Sequence, residues 1–70
     1  MRCAIVIEKA LSNYAAYVPD LPGCVATGAT LQETEKLIRE AIEFHLEGLR
    51  ADGLSIPPPT SQVEYVEVSK

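Results

Sequence analysis

Apolar and polar positions change period along the chain, and each change marks an element. Residues 2–8 form a continuous apolar, partly β-branched run. That pattern predicts a first strand, covered on both faces because it does not alternate. Residues 9–13 close with Ser12 and Asn13 and predict a turn. Residues 14–18 predict a second strand, whose Tyr14 and Tyr17 are three apart and so point to opposite faces. Pro19-Asp20-Leu21-Pro22-Gly23 then interrupts. Neither proline can donate to a ladder, and Gly23 is free to take a positive φ. Residues 24–28 predict a short third strand of small residues. The simplest arrangement of the three is an antiparallel meander.

From Thr30 the period becomes helical. Thr30 stands three residues before Glu33, the spacing of a capping box. The apolar stripe runs Leu31, Leu37, Ile38, Ala41, Ile42, Leu46, Leu49. Gly53 supplies a C-terminal stop, with Leu54 placed to fold back on Leu49 in a Schellman motif. The predicted helix is about 22 residues, roughly 33 Å long. Pro57, Pro58 and Pro59 force a stiff extended path that reads as a spacer. Residues 63–68 predict a last strand whose glutamates imply one solvent face or an edge position. The fold class expected is α+β: a three-stranded antiparallel meander, one long helix and a returning C-terminal strand, in a single domain spanning 1–70.

Length changes this picture by making a partner desirable. A 70-residue chain sits where one core rarely supplies more than about 3–5 kcal/mol. Disulfides, a metal or a second subunit are the usual supplements. The N-terminal apolar run is cut off by Glu8 and Lys9, too short for a secretory or membrane-spanning segment. A reducing cytosol is therefore the expected setting, with Cys3 and Cys24 as free thiols. One histidine and two distant cysteines lack the spacing of a zinc site, so no metal or cofactor is expected. Self-association into a dimer or higher oligomer remains, with Leu11, Tyr14, Tyr65, Val66 and Val68 as candidate interface residues. The net charge of −4 repels phosphate backbones, so direct nucleic-acid binding is not expected. An acidic surface instead speeds encounter with a basic protein.

Candidate chemistry is sparse. Asp20 offers a carboxylate for ligation or base catalysis, but a turn uses Asp to bond its own amides, and that is the role expected. Cys24 needs an adjacent base to act as a nucleophile. The lone histidine, His45, lies beside the apolar stripe and reads as a packed or interface residue. Cys3 and Cys24 read as small buried hydrophobes. Glu40, Glu43 and Glu47 share one helical face. A solvated face, with Glu35–Arg39 and Lys36–Glu40 pairs, is the reading preferred for them; an acidic strip for a basic partner is the alternative, which the like charges of Glu43 and Glu47 at i, i+4 support slightly.

Tyr17-Val18-Pro19-Asp20-Leu21-Pro22-Gly23-Cys24, followed by Gly28, Thr30 and Glu33, then Glu40-Ala41-Ile42, then Gly53-Leu54-Ser55-Ile56-Pro57, resembles the HicB-like antitoxin family. The resemblance runs from about residue 2 to residue 60. Pro19 to Cys24, Gly28 and Thr30 carry it and are expected to be structural. It implies a truncated ribonuclease-H-like arrangement and a partner, because such proteins neutralise small, basic, RNA-cleaving toxins and commonly form dimers or higher oligomers. Two departures matter. Ala29 stands where many relatives carry an acidic residue, and no helix-turn-helix or ribbon-helix-helix segment follows the core, so operator binding by this chain is not expected.

The function expected is a protein-binding module that masks a basic RNA-cleaving toxin, not an enzyme. An orphan oligomer that binds a small ligand or another protein, with no toxin, is the rival. A nuclease would need several carboxylates converging on paired metal ions. The acids outside the helix, Glu8, Asp20, Glu64 and Glu67 besides its terminal Asp52, give no reason to converge.

Overall fold

Three short strands and one long helix follow each other in the computed structural model, which describes residues 2–69: β1 Val6–Lys9, β2 Tyr14–Tyr17, β3 Val25–Gly28 and α1 Leu31–Ala51. Met1 and Lys70, the outer ends of the expected 1–70 domain, lie outside the described residues. The fold is α+β. The sheet runs β1-β2-β3, each neighbour antiparallel. Val6, Ile7, Glu8 and Lys9 stand opposite Tyr17, Ala16, Ala15 and Tyr14, and Ala16 and Tyr17 stand opposite Ala26 and Val25.

That register sorts side chains between two faces. Ile7, Ala16 and Ala26 form one cross-strand row against the helix, where Ala16 is buried and the other two are half-buried. Val6, Tyr17 and Val25 form the row behind it, on the face the helix does not cover; Val25 is 65% exposed. The first strand was expected to be covered on both faces. It is covered on one, because the helix packs on a single side of the sheet.

The first strand also begins later than residue 2. Continuing the Val6–Tyr17 register by two residues puts Ala4 opposite Pro19, which has no N–H to offer. Cys3 and Ile5 still pack on the core, without a ladder.

The helix starts and stops as its sequence predicts. Thr30 is the N-cap, extended at φ −127°, and its hydroxyl accepts from the Glu33 amide at 3.1 Å. At the other end the Leu54 amide donates to the Leu49 carbonyl at 2.8 Å, and the Gly53 amide to Arg50 at 3.1 Å. Those two bonds define a Schellman motif, and Gly53 adopts the positive φ of 70° that it requires. Ile38 is buried, with Ala41, Ile42 and Leu46 packed beside it. Leu31, expected on the buried stripe, is 49% exposed. Thr34 takes the first buried turn instead, with its hydroxyl donating to the Thr30 carbonyl at 2.8 Å.

Gly28 explains why Thr34 fits there. A Cβ on Gly28 would sit 2.7 Å from the Thr34 hydroxyl and 2.9 Å from its backbone nitrogen. The helix approaches β3 closely only because that Cβ is missing.

The returning C-terminal strand is a correction. Residues 54–69 contain no strand. Residues 63–68 have no backbone hydrogen-bond partner among the described residues and are exposed throughout; Tyr65 is 94% exposed. A strand exists only where a neighbour completes its ladder, and β-prone side chains do not supply one.

Candidate functional site

The stretch 18–24 is built as a closed turn. The Val18 amide donates to Cys24 O at 3.2 Å, Leu21 N to Val18 O at 3.1 Å, and Cys24 N to Leu21 O at 3.1 Å. Gly23 provides the positive φ of 84° that brings the chain back. Val18, Leu21 and Cys24 all point into the core. Pro19, Pro22 and Gly23 are on the surface. The turn thus doubles as a plug at the end of the sheet.

Asp20 does not bond the amides of its own turn. Its carboxylate receives four donors from forty residues away. The Ser61 hydroxyl donates to Oδ1 at 2.8 Å and the Thr60 hydroxyl to the same oxygen at 3.0 Å. The Thr60 and Ser61 amides each donate to Oδ2 at 3.3 Å. These bonds, with the Ser61 hydroxyl foremost, hold the Asp20 carboxyl below its ordinary value against the opposing effect of partial desolvation. The group is therefore a clasp fixing where the chain leaves the proline spacer. Nothing in the spacing of Asp20 to Thr60 announced it in the sequence.

Cys24 is buried and Cys3 half-buried, and both are free thiols. Burial, with a smaller contribution from nearby Cys3, pushes the Cys24 thiol up. That is opposite to what an activated nucleophile needs. His45 is half-buried and lines a hollow of about 460 Å³ with Gly23, Val25, Phe44, Gly48 and Leu49. Among the described residues, no group of three or more His, Cys, Asp or Glu side chains is placed to hold a metal ion.

Glu40, Glu43 and Glu47 are all exposed on the helix, and Glu43 borders a hollow that Cys3 and Ile5 also line. Phe44 is 79% exposed and lies at the flank of this strip, bordering the hollow it shares with Gly23, Val25 and His45. Sequence reasoning missed Phe44. Its signal was available: it is a large apolar residue out of phase with the buried stripe, next to Glu43 and one turn from Glu40. Leu11, one of the candidate interface residues, is fully exposed in the β1–β2 turn, while Tyr14 is half-buried. Ala29 is exposed just before the N-cap.

Residues 3–70 match the family of HicB-like antitoxins of bacterial toxin–antitoxin systems. This chain belongs to that family. Its relatives include an uncharacterized 14.9 kDa protein of the rep-hol intergenic region in Haemophilus phage HP1, 40% identical over 62 residues, or 89% of this chain and 47% of the phage protein. A UPF0150 protein of Helicobacter pylori is 48% identical over 65 residues, covering 91% of this chain and 90% of the relative. The chain thus spans about half of the phage relative and nearly all of the bacterial one. Among solved structures, the HicA3 and HicB3 toxin–antitoxin complex contains a chain that matches with a TM-score of 0.68 at 34% identity, over 81% of this chain and 67% of that one. No helix among the described residues is long and apolar enough to cross a membrane.

Proposed function

We propose that this HicB-like antitoxin neutralises a small basic RNA-cleaving toxin by covering its RNA-binding surface. An RNA-cleaving protein must present cations to the phosphate backbone. A surface that competes for those cations needs negative charge without RNA's geometry. The exposed strip of Glu40, Glu43 and Glu47, with Phe44 exposed at its flank, carries this reading. The glutamates steer encounter and oppose the partner's cations. Phe44 gives an aromatic anchor, the residue class that dominates binding energy at interface centres.

Masking requires no catalytic group on this chain, and the unactivated Cys24 agrees with that. The net charge of −4 argues for a protein ligand and against RNA itself. Two free thiols suit a reducing cytosol. The whole chain acts as one binding domain, and it self-associates, because its core is small and its exposed apolar surface large.

The strip is tested against a small basic RNA-cleaving protein that binds this chain. Combined E40K, E43K and E47K substitutions lower the association rate about tenfold or more and reduce its salt dependence. Phe44→Ala instead raises the dissociation rate. Unchanged kinetics in both variants, with helicity intact, places the toxin elsewhere on the surface.

A further inference from the structure

We infer that the hollow beside the second half of α1 receives an arginine side chain of the basic partner. The inference deepens the masking proposed above and rests on it.

It starts from a glycine that the fold does not need. Gly48 stands inside α1, a full turn before the C-cap Asp52. Only proline is a poorer helix former. Packing within the chain gives no reason for it. A Cβ on Gly48 would meet nothing within 4 Å, whereas the missing Cβ of Gly28 is what admits Thr34. Gly48 is also not among the glycines with positive φ, which are Gly23 and Gly53. A helical glycine whose backbone faces open space admits close approach from outside.

That space belongs to a hollow of about 460 Å³. Val25, at the start of the edge strand β3, lines one side, and Phe44, His45, Leu49 and Asp52 line the other with Gly48. Phe44 is one turn before Gly48 and Asp52 one turn after. A group lying over Gly48 is thus displaced about 6 Å along the axis from each.

The surroundings select a flat cation on an apolar stem. The ring of Phe44, 79% exposed, offers a face of negative potential. Asp52 adds an exposed carboxylate, and the C-terminus of the helix adds its partial negative charge. Among the described residues no lysine or arginine lines the hollow, and Arg50 of the last turn is not part of it. Val25 and Leu49 suit the methylenes of a long side chain. Arginine joins such a stem to a plane that stacks on an aromatic ring, and it is more weakly hydrated than the ammonium of lysine. Glu47, next to Gly48 and three residues after Phe44, makes the hollow continuous with the glutamate strip. A partner that binds RNA carries cations for the phosphates. Seating one of them here withdraws it from RNA.

The test titrates isotope-labelled protein with N-acetylarginine amide. The amides of Phe44, Gly48 and Asp52 should shift, and N-acetyllysine amide should move them less. Gly48→Leu fills the hollow and should abolish the arginine shifts. Phe44→Leu keeps the apolar surface without the aromatic face and should weaken the probe about threefold. Gly48→Ala and Gly48→Leu should both raise the thermal midpoint, so binding lost in the leucine variant is not fold lost. Equal shifts from the two probes, or arginine shifts that survive Gly48→Leu, overturn the arginine site. Inhibition of a small basic RNA-cleaving protein that binds this chain separates the site from masking itself. If Gly48→Leu still stops cleavage while combined E40K, E43K and E47K does not, the arginine site falls and masking stands. If the unsubstituted chain never stops cleavage, masking falls, and with it the partner assigned to the hollow.

Discussion

β2 and residues 63–68 invert what their sequences suggest. Tyr14-Ala15-Ala16-Tyr17 holds two alanines and no β-branched residue, whereas residues 63–68 contribute three valines and a tyrosine. Propensity favours the second as the strand. Yet β2 is the centre of the sheet, hydrogen-bonded on both sides, with Ala16 buried to 2%, and the tail is bare. β2 has neighbours joined to it by short turns, so its ladders form at small entropic cost. The tail follows a 21-residue helix and three prolines, and no strand among the described residues meets it. Strand formation is thus a property of the pair and not of the segment.

The largest test of this contrast compares the plug of the sheet with the tail. Leu21 is 1% exposed at the end of β2. Leu21→Ala should cost about 2–5 kcal/mol in denaturant unfolding, by lost transfer energy and a residual cavity. Val66→Ala, measured where the protein is monomeric, should stay within about 0.5 kcal/mol. A comparable loss at both positions means the tail is packed in solution.

Next in size is the approach of the helix to β3. Gly28→Ala places a Cβ 2.9 Å from the Thr34 backbone nitrogen, which a side-chain rotation cannot relieve. A loss of roughly 1–3 kcal/mol is expected, measured by the same unfolding curves. Converting Thr34 to Ser as well should recover little, because the backbone clash persists.

The smallest effect concerns the clasp that separates the anchored and free parts of the tail. The Asp20 carboxyl in the folded state lies below its ordinary value of 3.8. Its bonds therefore favour the closed arrangement above that value and are lost as pH falls through the folded-state titration. The Thr60 and Ser61 amide resonances should move together below about pH 4. The same amides should be insensitive to acid in Asp20→Asn. A titration unchanged by the substitution assigns the effect to another group.

These contrasts also mark what the sequence could reveal. The helix was readable to within a residue because its signals are local: Thr30 three before Glu33, and Gly53 before Leu54. The meander was readable because the connections are short and the turn residues strong. Long-range pairing was not. The Asp20 clasp joins groups forty residues apart, and no periodicity encodes it. Thr34 at a core position follows from the missing Cβ of Gly28, a contact between two elements. The tail was misjudged because its composition is that of a strand while no ladder partner meets it among the described residues. At the candidate site, the glutamate strip was legible as helical spacing, and Phe44 was overlooked because it stands just outside the buried stripe, on the helix flank.

The central claim is that this antitoxin masks a toxin's RNA-binding surface, and an inhibition titration tests it most directly. A small basic RNA-cleaving protein that binds this chain is incubated with RNA while this chain is added in increasing amounts. Cleavage should stop near equal molar amounts and persist when the E40K, E43K, E47K variant is added instead. Cleavage that continues undiminished with excess folded protein would contradict the account.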